Sequence, residues 1–165
     1  MSKQWYGNVT NRIEEGKNYT GREIRVGDDA TMYLYSDRTC YYVTAVENQK
    51  RIKVKRYFVC ADKSKAGGMG HQDWLYFKSM REMDAYLGNE PRTDEEYAQF
   101  DREETWVFRY NKWMRERIVT EMKYPYAYNK RERESFAKNG FCKVYADLSG
   151  NVSFGVRDYY YDWEF

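Results

Sequence analysis

One histidine, two prolines and three cysteines are all that this 165-residue chain holds of those types, and each scarcity excludes a class of chemistry. A single imidazole, His71, rules out a histidine-rich metal centre. It lies in a glycine-punctuated stretch with no local nucleophile to activate, and reads as a loop histidine, exposed or packed on Trp74. Cys40, Cys60 and Cys142 are odd in number, far apart and without CxxC spacing, which argues against a disulfide framework or a structural zinc. Each lies in an apolar, strand-like stretch, as buried free thiols in a reducing cytoplasm would. No apolar run is long enough to span a membrane, and Met1 to Thr10 lack the hydrophobic segment of a secretory signal. GxSxG, HExxH and GxGxxG do not occur, and Lys63 to Gly70 lacks the GxxxxGKS/T order of a phosphate loop. Glu103-Glu104 beside Arg102 reads as a solvated face. Asp158 and Asp162, separated by three tyrosines, are the one carboxylate pair with a conceivable metal or acid–base role. The expectation is a non-catalytic protein with no metal and no cofactor.

Charge of one sign is also missing. The formal net charge is +2, from 28 basic and 26 acidic residues. That balance argues against an acidic nucleic-acid mimic and against a globally basic binder, and leaves a local patch as the route to nucleic acid.

What the chain has in plenty is aromatic rings: 18 tyrosines, 5 tryptophans and 8 phenylalanines. They supply the apolar area that a mean hydropathy of -1.00 would otherwise deny a core. Tyrosine is both a good strand former and the amphipathic side chain of recognition surfaces. A set this large is expected to exceed what the core needs, which points toward binding.

The pattern predicts α+β structure, mainly antiparallel β: one domain, residues 1–165, built as a small SH3-like barrel or a bent sheet with short inserted helices. Residues 8–16 read as a short helix closed by Gly16, and Lys17 to Asp29 as a loop. From Ala30 the period is two, giving strands at 30–35, 39–46 and 51–60 joined by polar turns. Trp74 to Phe77 is a short aromatic strand. Ser79 with Glu82, and Thr93 with Glu96, are capping boxes, so 79–103 reads as a helical insertion between strands, with Met83 and Leu87 on one face of the first helix and Tyr97 and Phe100 buried by the second. Trp106–Tyr110 and Trp113–Thr120 read as a hairpin around Asn111-Lys112, with Tyr110 meeting Trp113 across it. Asn129 to Lys138 is a polar helix. Residues 141–147 and 151–155 read as a last hairpin, and the tyrosine-rich tail from Val156 either docks on the sheet or forms an interface.

Two sets of residues could bind. Arg51, Lys53 and Lys55 alternate on one side of a strand with Tyr57, and Lys112, Arg115 and Arg117 follow the next hairpin. Spaced cations with an aromatic suit phosphate tracking and base stacking, provided both clusters share one side of the barrel. The same lysines could equally be a solvated face that discourages edge pairing. Tyr124, Tyr126 and Tyr128, which share a side if extended, suit a protein interface together with Trp113, Tyr159 and Tyr160.

The segments Tyr6-Gly7-Asn8, Asn11-Arg12-Ile13, Val26-Gly27-Asp28-Asp29-Ala30-Thr31, Tyr35-Ser36-Asp37-Arg38, Ile52-Lys53-Val54, Asp62-Lys63, Gly68-Met69 with Gln72, and Gly155-Val156-Arg157-Asp158-Tyr159-Tyr160 resemble a family of small uncharacterised proteins of bacteriophages and prophages. The likeness touches both ends and the first meander. It implies a viral setting in the cytoplasm of an infected bacterium and carries over no functional residue. The leading expectation is a non-catalytic inhibitor or adaptor that sterically blocks a bacterial host protein or ribonucleoprotein complex, such as a nucleic-acid-handling or CRISPR-type defence effector. Two other readings stay open: a direct nucleic-acid-binding module, and a small-ligand sponge or enzyme built on a tyrosine-lined pocket with converging arginines or carboxylates.

Overall fold

The computed structural model describes residues 13–14, 23–34, 36–65, 73–148 and 150–161, and these form an α+β fold of mostly antiparallel strands. Along the chain come β1 (Ile13–Glu14), β2 (Asp29–Tyr33), β3 (Arg38–Asn48), β4 (Arg51–Arg56), β5 (Phe58–Ala61) and β6 (Trp74–Phe77). Helices α1 (Met80–Leu87) and α2 (Asp94–Phe100) follow, then β7 (Glu103–Arg109), β8 (Lys112–Val119), α3 (Lys130–Asn139), β9 (Cys142–Asp147), β10 (Asn151–Phe154) and β11 (Val156–Arg157). One sheet of seven strands has the order β10-β2-β3-β4-β7-β8-β9, while β1 with β11 and β5 with β6 form two-stranded ribbons. No helix among the described residues is long and apolar enough to cross a membrane.

Consecutive strands β9 and β10 lie at opposite edges of that sheet. Laid flat, seven strands would hold those edges about 29 Å apart. The link 148–150 can span at most about 14 Å, so the sheet must coil until its edges face each other. Trp113 of β8 accordingly meets Phe154 of β10 across the seam, with ring centroids 5.3 Å apart. No ladder joins β9 to β10 among the described residues, so the fold is a bent sheet and not a closed barrel. The expected hairpin of 141–147 with 151–155 is therefore overturned: β9 pairs with β8, and β10 with β2.

The coil gives the sheet an inside. Ala30, Met32, Tyr41, Val43, Ile52, Val54, Trp106 and Phe154 bury there as one cluster, each large side chain contributing roughly 1.5–3 kcal/mol. Tyr41 stands edge-on to Trp106 at 4.9 Å. On the outer side the β1–β11 and β5–β6 ribbons cover a polar knot. Thr31 Oγ1 donates to the Val156 carbonyl, and the Asp158 N–H donates back to it at 3.2 Å. Tyr57 Oη and Arg157 Nε both donate to Asp29 Oδ1, at 2.6 and 3.3 Å. The guanidinium of Arg157 lies over the Tyr57 and Tyr76 rings. Two segments far apart in sequence, Asp28–Thr31 and Val156–Asp158, are thus tied together.

The helical insertion stands between β6 and β7 as expected. Ser79 accepts from the Glu82 N–H, Thr93 and Glu96 form a reciprocal capping box, and Gly88 closes α1 in the left-handed conformation. The buried residue of α1 is an acid. Leu87 is exposed, while Asp84 is 2% exposed and accepts from Arg92, Asn89 and Tyr97. Those three donors hold its carboxyl below the usual carboxylate range, Arg92 most of all, and the salt bridge and tyrosine bond pin α2 to α1. Phe100 is exposed and not buried, though it touches Phe58 edge-on.

Three further expectations shift. Ile13–Glu14 is extended and pairs with Val156 and Arg157, so these two residues do not belong to the helix expected over 8–16, the rest of which lies outside the described residues. β4 stops at Arg56, and β5 leaves for a different ribbon. The β7–β8 turn is Tyr110–Asn111, both left-handed at φ 54° and 60°, the mirror-image turn that matches strand twist. Trp113 therefore faces Phe108, at 5.4 Å, and not Tyr110.

Gly150 sits where the link passes the end of β2. A β-carbon there would lie 1.7 Å from the Tyr33 carbonyl oxygen. Gly150→Ala is expected to lower unfolding free energy by about 2 kcal/mol or more, since neither backbone can yield without opening the seam. Urea denaturation of the two proteins checks this, and equal midpoints would show that the link does not hold the coil.

Candidate functional site

Along β4, β7 and β8 the inward side chains are apolar at one end and charged at the other. Inward positions on β4 read Ile52, Val54, Arg56. On β7 they read Phe108, Trp106, Glu104, and on β8 Trp113, Arg115, Arg117. The register confirms the shared face: Ile52 opposes Trp106, Trp106 opposes Arg115, and Tyr41 opposes Arg56. Trp113, Phe108 and Leu148 stand at the apolar end, where they line a separate groove of about 460 Å³. The other end is a mouth.

The tail completes its wall. Beyond Arg56 the edge of β3 is left unpaired by β4, and Tyr160 takes that place. Arg38 N–H donates to the Tyr160 carbonyl at 2.9 Å and Tyr160 N–H donates to the Arg38 carbonyl at 3.2 Å. The Arg38 guanidinium lies 5.6 Å from the Tyr160 ring centre, and Tyr159 stands edge-on to Trp74 at 4.8 Å. Arg38, Arg56, Arg115, Tyr41, Tyr159 and Tyr160 together line an open groove of about 340 Å³.

The arginines differ in how they are satisfied. Arg38 donates to Asp158 at 3.1 Å. Arg115 Nη2 reaches Glu104 at 3.2 Å, and Glu104 also accepts from Trp106 Nε1 at 3.0 Å. Arg115 Nε is buried and donates to no atom among the described residues. Arg56 is exposed and forms no ion pair among the described residues. Burial, with Glu104 nearby, pushes the Tyr41 phenol above its ordinary value, so it stays a neutral hydrogen-bonding group. An unpaired guanidinium and tyrosine rings on one concavity suit an anionic group carried next to an aromatic plane.

Comparison with known families, curated proteins and solved structures finds no match to this chain.

The two basic clusters read from the sequence do not share a side. Arg51, Lys53 and Lys55 lie on the outer face, and Arg115 and Arg117 on the inner. The outer set is neutralised: Arg51 grips Glu116 through two 2.6 Å bonds, Lys53 lies 3.7 Å from Glu103, and Lys55 pairs with Asp101. Tyr57 is only 4% exposed and its hydroxyl is spent on Asp29, so it cannot stack on a base. Lys112 pairs with Asp147 at 2.8 Å; Arg117 is exposed. Of the tyrosine strip, 124–128 is not extended but folds around a 3₁₀ turn, Pro125–Ala127. Tyr124 and Tyr126 are 52% and 83% exposed with rings 5.8 Å apart, while Tyr128 is half-buried and Arg133 caps its carbonyl. Trp113 packs between Phe108 and Phe154 and offers no free anchor. Cys40 and Cys142 are buried and Cys60 half-buried, all as free thiols, each pushed up by burial. His71 and Asp162 lie outside the described residues.

Arg38 and Arg56 were missed as site residues. The signal was present for Arg56: it occupies the inward position that continues Ile52 and Val54, where a charge breaks an apolar alternation.

The Arg51–Glu116 pair has a pH consequence. The bidentate guanidinium holds the buried Glu116 carboxyl below its ordinary 4.5. A depressed folded-state value stabilises above the unfolded value and is lost as pH falls through the folded one. Arg51→Met is expected to cost about 3 kcal/mol at pH 7 and to flatten the stability loss below about pH 5. Urea titrations at a series of pH values check it; a parallel acid limb in both proteins would show the pair is not what titrates.

Proposed function

We propose that this chain is a non-catalytic binding protein that captures a phosphate-bearing aromatic ligand, of nucleotide class, in the arginine–tyrosine mouth. The observation that carries this reading is that Arg56, which forms no ion pair among the described residues, and Arg115 line one tyrosine-walled groove. Glu104, the carboxylate between them, is already engaged by Trp106 and Arg115, which supports capture over acid–base turnover. In the viral setting that the sequence resemblance implies, such a protein acts as an inhibitor by withdrawing a ligand from host machinery in the bacterial cytoplasm.

The test is calorimetric titration with adenosine 5′-monophosphate. Arg56→Glu is expected to weaken binding by about tenfold or more, through loss of one charge-assisted contact and gain of a repulsion. No binding to the parent, or equal binding to the variant, sinks the reading.

One observation favours a second reading, steric blocking of a host protein or ribonucleoprotein complex. Tyr124 and Tyr126 form a ring pair outside the core, with Lys123 5.5 Å from the Tyr124 ring, and tyrosine is a typical anchor of protein interfaces. Replacing both by alanine is expected to change stability by less than about 0.5 kcal/mol. Retention of a nuclease-resistant partner from bacterial lysate should fall by at least roughly thirtyfold, the weight of one anchor. Unchanged retention overturns this reading.

A further inference from the structure

The mouth does not end at Arg56. A second open groove of about 440 Å³ adjoins it, and Arg56 lines both. Its wall is formed by the end of β4, the start of β5 and the C-terminal end of α2. Arg56, Lys78 and Arg102 are its exposed cations, and none of the three forms an ion pair among the described residues. Lys55 lines the same groove but is tied to Asp101. Phe58 and Phe100 meet edge-on at 6.3 Å on its wall, with Phe100 exposed.

The contrast with the rest of the surface is what makes this informative. On the outer face nearly every strand cation has a carboxylate opposite it, as a near-neutral chain can arrange. At the mouth, Arg56, Lys78 and Arg102 line one groove with exposed Phe100 and form no ion pair among the described residues, Lys78 lying over the Tyr42 ring and Arg102 Nε donating to the Gln99 carbonyl; Asp101 and Glu104 line the same groove, and the first groove adds Arg115 and tyrosines. Like charges left unpaired side by side repel, and that arrangement is stabilised when an anion enters. Each groove has an aromatic wall and cations, and Arg56 lines both, which offers two places for a base beside a phosphate.

We infer that the ligand is a dinucleotide, with one phosphate and base in each groove and the chain between them crossing Arg56. This rests on the reading of the first groove as a nucleotide site, and the experiment separates the two. Adenosine 5′-monophosphate and the 5′-phosphorylated dinucleotide pApA are titrated into the parent, into Arg56→Glu, and into Lys78→Glu/Arg102→Glu. Circular dichroism and urea midpoints verify that each variant folds. The expected result is that pApA binds the parent at least about tenfold tighter than the mononucleotide, with a salt slope steeper by about 0.7 for the second phosphate. The double variant brings that ratio down to about one, and Arg56→Glu weakens both ligands.

If the mononucleotide binds and pApA binds no tighter, or if the double variant leaves the ratio intact, the dinucleotide inference is overturned while the first groove stands. If neither ligand binds the parent, both fall. A ten-nucleotide strand is the last arm. If its salt slope exceeds that of pApA by several phosphates, the surface tracks a longer strand and the two-phosphate assignment is overturned. Equal slopes support it.

Discussion

Four peptide bonds connect the two edges of a seven-stranded sheet, and the rest of the structure follows from that shortness. A flat sheet of this width cannot be bridged by so little chain. Coiling is the available response, and it turns one face into an interior. Side chains alternate, so the same coil that hides Ile52, Val54 and Trp106 also brings Arg56, Glu104 and Arg115 inward. These charges stay near solvent only because they lie at the last inward positions, at the end where the coil opens. The mouth is thus a by-product of the strand ends, and the tail at Tyr160 fixes one of its walls by occupying the edge that β4 vacates.

Electrostatics sorts the surface a second time. The chain carries almost as many acids as bases, and the outer face of the sheet places them opposite one another. Exposed pairs such as Lys53–Glu103 contribute little. The buried ones, Arg51–Glu116 and Arg157–Asp29, do more to fix register than to add net stability, because desolvation offsets most of the attraction. Asp29, Thr31, Arg157 and Asp158 hold β2 against β11 across most of the length of the chain. Arg56, Lys78 and Arg102, at the mouth, are among the cations that form no ion pair among the described residues. The two concave, partly aromatic grooves share Arg56, and the proposal of an anionic, ring-bearing ligand rests on that arrangement.

The aromatic excess divides between structure and surface. Tyr41, Tyr57 and Trp106 are core or near-core groups, engaged with one another or with Asp29 and Glu104. Tyr159 and Tyr160 form the rim. Tyr124 and Tyr126 remain outside, presented by a 3₁₀ turn and not by a strand. A tyrosine count alone cannot assign these roles, because the same ring and hydroxyl serve all three and the neighbours decide which.

Local signals in the sequence were enough for the elements whose cause is local. The capping residues Ser79, Thr93 and Asn129 and the glycines Gly88 and Gly140 delimit the helices by hydrogen bonds within a few residues, and period-two alternation marks β2, β3, β4, β7 and β8. Where the cause was remote, the same reading failed. Residues 141–147 and 151–155 look like a hairpin because a short polar link normally makes one, yet their partners are β8 and β2. Arg51, Lys53 and Lys55 look like a phosphate-tracking face until Asp101, Glu103 and Glu116 arrive from positions 46 to 65 residues away. Burial of Asp84 depends on Arg92 and Tyr97, which approach only when α2 folds back on α1. Propensity, capping and alternation are properties of neighbouring residues and are written in their order. Which charges cancel, and which are left facing a groove, depends on pairs that only the coiled sheet brings together.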